Sequence, residues 1–197
     1  MMESDDPYNE ALGQVRWLFD GAGGHEPGAA SLATADASGK PSVRTVTVVS
    51  IEDAGPVFFL RTTSGRGHQL AEDPRAALCF FWSDQQYQAI IEGEVHPLDE
   101  EETDRLWHTR PREAKLAAWL REVEPPADGK DTFEARLAAI RQRFSWDRVP
   151  RPHSWTAVCL QPNEIDLWHL AWRNPHHRAH YHRDADECWH KELLPPF

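Results

Sequence analysis

The sequence predicts a mainly β protein with helices, an α+β chain built as a small barrel with helical additions. Two observations support this prediction. Apolar segments of strand length, separated by turn residues, recur between residues 31 and 194. Two other segments, 8–19 and 132–144, place their apolar residues at the spacing of an amphipathic helix, and 99–121 begins with a helix-capping pattern. Short strands combined with a few helices are typical of a small barrel.

The first half of the chain predicts one long helix followed by five strands. Residues 8–19 form the helix, and the glycine-rich segment 21–28 ends it. A short helix after residue 63 ends before Pro74, which cannot continue it. The predicted strands are the two halves of 31–51 around a turn at 37–40, then 56–62, 76–83 and 87–98.

The second half begins with the helical segment 99–121. Asp99 is positioned to cap its N-terminus, with Glu102 three residues later, and Pro111 should divide it into two pieces. A loop over 124–131 then leads to the helix 132–144. Four short strands follow, with a turn at 184–186 in the last hairpin: 155–162, 164–170, 178–183 and 188–194.

Length and charge limit the possible classes of function. The 197 residues suit a single domain over 1–197. A formal net charge of −11 argues against binding to nucleic acid or to anionic membranes. No apolar run reaches the roughly 18 residues that a transmembrane helix needs. Three cysteines without a CxxC pair, and an N-terminus without a signal-peptide pattern, predict a cytoplasmic protein with reduced thiols.

Arg44 is a charged residue in the middle of an apolar predicted strand. Strand alternation places Arg44, Val46 and Val48 on one face. A buried arginine is costly unless its charge is paired. Two interpretations remain open at this point: a salt bridge to one of the 32 acidic residues, or a bidentate clamp on a phosphate or carboxylate.

Two other polar features have the chemistry of a binding site. The turn Ser64–Gly67 combines exposed backbone amides with the Arg66 side chain, which together would favour an anion. Gln88 is polar within an apolar strand, where its amide would hydrogen-bond the edge of a heterocycle or face solvent. Each feature alone is a weak signal, because both also occur on ordinary surfaces.

Four histidines fall within seven residues near the C-terminus: His176, His177, His180 and His182. In a strand, His180 and His182 point to one side and His177 to the other. Asp184 and Asp186 are near enough in sequence for zinc to be one interpretation. A solvated strand edge and contact with an organic ligand are the other two, and we assign no metal.

Several segments, taken in order, resemble the pyridoxamine 5′-phosphate oxidase family of flavin enzymes. They are LATADASGKPSVRTVTV, GPVFFLRTTSGRGHQLAEDPRAALCFFW, the RP of HTRPRE, and IDLWHL with NPHHRAHYHR. The resemblance runs from residue 31 to 195 and looks closest to the branch that oxidises late intermediates of phenazine biosynthesis. It implies an FMN-binding split β-barrel and a homodimer with FMN between the subunits. Residues 1–28 would be an N-terminal helix and linker, and 150–197 the strands for dimerisation and flavin binding.

The resemblance implies a set of FMN-binding positions: Arg44, Val46, Val49, Phe59, Leu60, Ser64, Arg66, Gln88, Trp168 and Arg178. Arg44 matches the arginine that binds the FMN phosphate, and Ser64 and Arg66 match two residues of a second phosphate-binding turn. Two matched positions depart from the family pattern, because Val49 replaces a lysine and Gly65 replaces an arginine.

The implied substrate site also departs from the family. The tyrosine and serine that hold the substrate phosphate are Leu106 and Ala114 here, and the arginine two residues before His176 is Asn174. Each lost charged hydrogen bond costs about 1.5–3 kcal/mol. We therefore expect a larger, non-phosphorylated aromatic substrate whose carboxylate meets Arg110. His176 is the candidate catalytic residue, orienting or deprotonating the substrate, or else a structural histidine.

The predicted function is an FMN-dependent oxidase of a flat aromatic compound, such as a dihydrophenazine carboxylate, with O2 as the acceptor. Three alternatives remain open. The first is an oxidase of pyridoxamine or pyridoxine 5′-phosphate. The second is a reductase on the same barrel that uses a reduced nicotinamide or deazaflavin. The third is a flavin- or haem-binding protein without turnover, or a structural dimer.

Overall fold

The computed structural model describes residues 6–22, 28–122, 133–144, 148–170 and 177–195. The helices within these ranges are α1 (Pro7–Gly21), α2 (Gly65–Glu72), α3 (Glu100–Thr109), α4 (Arg112–Glu122) and α5 (Phe133–Arg143). The strands are β1 (Ala29–Ala35), β2 (Pro41–Glu52), β3 (Gly55–Arg61), β4 (Arg75–Trp82), β5 (Tyr87–Pro97), β6 (Trp155–His169), β7 (His177–Arg183) and β8 (Trp189–Leu194).

Six of the strands close into a barrel, which confirms the predicted α+β barrel. The hydrogen-bonded order is β3-β2-β1-β4-β5-β6, and β3 pairs with β6 to complete the circuit. β6 has two partners on one edge, because β3 pairs with 155–159 and β7 with 164–169. The hairpin of β7 and β8 therefore extends from the barrel wall instead of closing it.

Local sequence signals account for most element boundaries. Asp99 accepts a hydrogen bond from the Glu102 backbone amide at 2.8 Å, and Pro111 separates α3 from α4, so both predictions are confirmed. On β2, Val46 and Val48 are buried on the barrel side, as the alternation predicts. The whole of the predicted loop over 124–131 lies outside the described residues, as do 123 and 132.

One prediction about the strands is wrong. The segments 155–162 and 164–170 form the single strand β6. β5 pairs along its whole length, with a register irregularity where Glu92 faces Glu164 and Gly93 faces Pro162. The extra residue on β6 is Asn163, so Pro162 is tolerated inside a long strand because it sits at a bulge.

Helices cover both open ends of the barrel. α1 closes one end, where Leu12, Val15 and Leu18 join the barrel core. α2 closes the other end, where the Thr34 hydroxyl donates to Gln69 Oε1 at 2.8 Å. We call these the α1 end and the α2 end. The β4–β5 turn lies at the α1 end, since Gln85 donates to the Leu18 carbonyl.

A second apolar cluster lies outside the barrel wall. α3 packs Leu106 and Trp107 against Val57, Phe59 and the start of β6. This packing fixes the C-terminal end of α3 next to the α2 end of the barrel. None of the helices in the described ranges is long and apolar enough to cross a membrane.

A close backbone approach at the β6 bulge yields a stability prediction. A Cβ atom added at Gly93 would lie 1.9 Å from the Gln161 carbonyl oxygen, so Gly93→Ala should lower the free energy of unfolding by about 1–3 kcal/mol. Gly13, in the middle of α1, has no atom within 4 Å of such a Cβ. Gly13→Ala should therefore raise the free energy of unfolding by about 0.5–1 kcal/mol. Urea unfolding of both variants measures the contrast, and equal effects would contradict it.

Candidate functional site

Arg44 points inward at the α2 end of the barrel. It lies opposite Leu32 of β1, which is fully buried. One Nη atom donates to Thr34 Oγ1 and to Gln69 Oε1, each at 3.3 Å. Both acceptors are neutral, and the ion pairs found among the described residues do not include Arg44. Of the two interpretations of Arg44, the salt bridge is therefore wrong for the part of the chain that the structure describes.

Arg66 lies close to Arg44 in the first turn of α2. Its Nε atom is buried without a hydrogen-bond partner among the described residues. Burial, and secondly the positive charge of Arg44, hold the pKa of Arg66 below its usual value. Ser64 caps α2, accepting from the Gly67 amide at 3.1 Å and donating to the Arg61 carbonyl at 2.6 Å. The predicted turn is thus an ordered helix N-terminus, and its cation, Arg66, has no carboxylate partner among the described residues.

Arg110, at the C-terminal cap of α3, lies in an aromatic cage. Its guanidinium carbon is 4.5 Å from the centre of the Phe59 ring, 5.1 Å from Trp107 and 5.5 Å from Trp155. Its Nη1 atom is buried without a hydrogen-bond partner among the described residues. Burial, and then the nearby Arg121, lower the pKa of Arg110 to about 10.

Arg121, near the end of α4, was missed by the sequence analysis. Its guanidinium carbon is 6.0 Å from the Trp155 ring centre, and its positive charge lowers the pKa of both Arg66 and Arg110. It is seven residues after Ala114, on the same face of the helix two turns away. That spacing could have indicated that Arg121 and Ala114 share a helix face. It does not show that the end of α4 lies against the barrel.

Together these four residues form what we call the arginine cluster: Arg44, Arg66, Arg110 and Arg121. None of them belongs to an ion pair found among the described residues. The nearest carboxylate in sequence, Glu122, instead lies 3.8 Å from Arg61 and accepts from the Ser154 hydroxyl. Four arginines that have no carboxylate partner among the described residues, in a chain of net charge −11, are suited to hold an anionic ligand.

Gln88, Trp168 and Arg178 lie elsewhere on the barrel. Gln88 pairs with Trp168 across β5 and β6, and Trp168 pairs with Arg178 across β6 and β7, so their side chains share one face. Their neighbours Ala89 and Leu167 are buried inside the barrel, which makes this shared face the outer one. We call these three residues the outer row; it lies toward the α1 end.

Arg178 has a carboxylate partner in the structure. Its Nε atom lies 3.0 Å from each carboxylate oxygen of Asp166, and one Nη atom lies 2.5 Å from Oδ2. The hydrogen bonds that Arg178 donates to the Asp166 carboxylate are the main cause that raises the pKa of Arg178. A cleft of about 360 Å³ opens beside this pair on the outer face. The role of Arg178 in flavin binding stays a prediction.

The apolar positions of the predicted site lie in packed surroundings. Val46 and Leu60 belong to the barrel core, and Phe59 and Leu106 to the outer cluster, each with at most 6% of its surface exposed. Val49 packs at the edge of the outer cluster. A ligand at the α2 end would therefore contact these elements through their backbone atoms or through the exposed edge of a side chain. Ala114 is half-buried on α4.

The histidine cluster is only partly described, because His176 and Asn174 lie outside the described residues. His180 and His182 share a face of β7 as predicted, with ring centres 5.4 Å apart. His190 of β8 stacks on His182 and bonds Asp184 at 2.6 Å. The hydrogen bond from His190 is the main cause that lowers the pKa of Asp184. In the part of the chain that the structure describes, no three His, Cys, Asp or Glu residues are arranged to hold a metal.

The model of the family described as pyridoxamine 5′-phosphate oxidase matches residues 23–144. The pyridoxine/pyridoxamine 5′-phosphate oxidase of Anaeromyxobacter dehalogenans is 39% identical over 87% of this chain and 86% of its own. This chain belongs to the pyridoxamine 5′-phosphate oxidase family. The enzyme of the same name from Deinococcus deserti is 38% identical over 89% of this chain and 82% of its own.

Solved structures of this family have the same fold. PhzG from Burkholderia lata, solved with tetrahydrophenazine-1-carboxylic acid, superposes with a TM-score of 0.80 at 29% identity, covering 98% of this chain and 94% of that one. An FMN-binding protein from Nostoc punctiforme superposes with a TM-score of 0.73 at 21% identity, covering 98% and 99%. The resemblance stated from the sequence is confirmed: this is a pyridoxamine 5′-phosphate oxidase-like barrel close to PhzG.

Proposed function

We propose that this member of the pyridoxamine 5′-phosphate oxidase family is an FMN-dependent oxidase of a flat aromatic carboxylate. The observation that carries the proposal is the Arg44–Arg66 pair, two neighbouring cations without a carboxylate partner among the described residues. The buried, unpartnered Nε of Arg66 fits a group that supplies acceptor oxygens and negative charge, as the phosphate of FMN does.

The arrangement of the site supports a homodimer. Arg44 lies inside the barrel at the α2 end, whereas Gln88 faces outward toward the α1 end. Three strand spacings separate β2 from β5, on the order of 14 Å around the wall. One FMN would therefore contact the arginine cluster of one copy and the outer row of another. Exposed apolar side chains on the outer face, Val43 and Phe81, support such a second copy.

The substrate side of the proposal depends on the positions that depart from the family. Leu106 is a core residue and Ala114 has no hydroxyl, so neither can hydrogen-bond a phosphate. Arg110 keeps its charge and lies among aromatic rings. These features favour a planar aromatic substrate with one carboxylate. The aromatic carboxylic acid bound by PhzG, a solved relative, has this chemistry.

A bound FMN would supply the redox chemistry, in which the substrate loses two electrons and two protons and O2 is reduced to hydrogen peroxide. The chain would bind and orient both molecules. Arg44, Arg66 and the N-terminus of α2 would hold the phosphate, and the outer row of the second copy would face the flavin ring. His176 remains the proposed group that orients or deprotonates the substrate.

The first test is the visible spectrum of the purified protein, with identification of the cofactor released on denaturation. We expect a yellow protein that carries about one FMN per chain. Under air, a reduced phenazine carboxylate should be oxidised with production of hydrogen peroxide. A colourless preparation that does not take up added FMN, while staying folded, would contradict the proposal.

A second candidate is the oxidation of pyridoxamine or pyridoxine 5′-phosphate. The name and 39% identity of the Anaeromyxobacter relative favour it. Peroxide production from both substrates in parallel separates the candidates. We expect kcat/KM to favour the aromatic carboxylate by about 100-fold or more, because two hydrogen bonds to the substrate phosphate are missing. A preference for the phosphate substrate would establish the second candidate instead.

A further inference from the structure

Arg121 lies where it can extend the substrate site beyond Arg110. The two guanidinium groups both lie near the ring of Trp155, 5.5 Å from its centre for Arg110 and 6.0 Å for Arg121. Trp155 belongs to the outer cluster, beside Phe59 and Trp107. Two cations thus flank one rigid aromatic wall at the α2 end.

The same place contains buried hydrogen-bond donors without acceptors among the described residues. They are Arg110 Nη1 and Trp155 Nε1. Both side chains can only donate, so an acceptor from outside the described chain is the partner that would satisfy them. Unsatisfied buried donors are costly, which makes an anion a favourable ligand here.

Local contacts fix Arg121 in this position without neutralising it. Its backbone carbonyl accepts from Arg61 at 2.5 Å, which ties the end of α4 to the end of β3. Glu122 is held by Ser154 at 2.5 Å and lies 3.8 Å from Arg61. The Arg121 side chain is exposed and has no ion pair among the described residues, so it can meet a ligand.

We propose that Arg110 and Arg121, on Trp155, together form the receptor for the carboxylate of the aromatic substrate. This inference rests on the proposed function and names the residue that compensates for the apolar Leu106 and Ala114. Arg121 lies two turns from Ala114 on the same helix face. The contact between α4 and the substrate anion would therefore lie farther along the helix than Ala114. Two arginine charges would make this contact, which suits a single carboxylate.

The test uses two probes of nearly equal shape, phenazine-1-carboxylate and its uncharged carboxamide. Calorimetry measures their binding to the full-length protein as purified, with its bound cofactor. The wild type should bind the carboxylate at least about tenfold more tightly than the carboxamide. Arg121→Gln should weaken carboxylate binding about tenfold and leave carboxamide binding unchanged, whereas Arg121→Lys keeps the positive charge and should retain part of the preference.

Arg143→Gln is the matched control. Arg143 also occupies the last turn of a helix and lies over a tryptophan, 5.0 Å from the Trp119 ring centre, but it is outside the arginine cluster. This variant should bind both probes as the wild type does. Equal effects of Arg121→Gln on both probes, no effect on either, or no carboxylate preference in the wild type would overturn the inference.

Two outcomes separate this inference from the proposed function. Loss of FMN in Arg121→Gln would assign Arg121 to the cofactor phosphate and overturn the inference, while the proposed function would stand. Absence of FMN from the wild type would contradict the proposed function. Calorimetry needs no flavin signal, so in that case the preference for carboxylate over carboxamide would still decide the inference.

Discussion

Arg44→Ala should lose bound FMN while the protein stays folded. A bidentate arginine contributes two charged hydrogen bonds to a phosphate, so the Kd for FMN should rise about 100-fold or more. For the protein without FMN, the structure predicts that the same substitution does not lower the free energy of unfolding. Among the described residues Arg44 bonds neutral groups only, and its charge lowers the pKa of Arg66, so removing it relieves repulsion between like charges. The free energy of unfolding without FMN should be unchanged or higher.

Fluorescence titration with FMN measures the first effect, and urea unfolding without added FMN measures the second. Arg75→Ala is the control, because Arg75 is also an arginine of a barrel strand but is exposed and paired with Asp73 at 2.6 Å. It should retain FMN. Stoichiometric flavin in purified Arg44→Ala would show that Arg44 does not hold the cofactor.

Trp107→Ala should give the largest loss of stability. Trp107 is 1% exposed, packs edge-on against Phe59 with ring centres 5.6 Å apart, and donates through Nε1 to the Val149 carbonyl at 2.9 Å. Deleting a buried tryptophan leaves a cavity, so the free energy of unfolding should fall by about 3–5 kcal/mol. Arg110 loses one wall of its aromatic cage, so the affinity for phenazine-1-carboxylate should fall as well.

Urea unfolding followed by far-ultraviolet circular dichroism measures this change. Trp107→Phe keeps most of the buried ring and loses the hydrogen bond, so its loss should be about half as large or less. A loss below about 1 kcal/mol in Trp107→Ala would mean that α3 is held mainly by its other contacts.

The local features of the fold could be predicted because their causes are local. Asp99 caps α3 and Pro111 ends it through contacts within a few residues, and the alternation on β2 follows from its own sequence. β6 shows the limit of that approach. Its continuity through Pro162 depends on pairing with β5, and a pattern within one strand does not contain the register of its partner.

The same distinction between local and tertiary causes applies to the residues of the candidate site. The sequence by itself determined the family and identified Arg44, Arg66 and Arg110 as cationic positions, because motif spacing is a property of the chain. Only the tertiary structure decided that these cations lack carboxylate partners among the described residues and that Arg121 lies with Arg110 beside Trp155. It also separated the outer row from the arginine cluster. The physical reason is that charge pairing depends on distances in space, and barrel closure brings together residues that are far apart in sequence while it directs neighbouring ones to opposite faces.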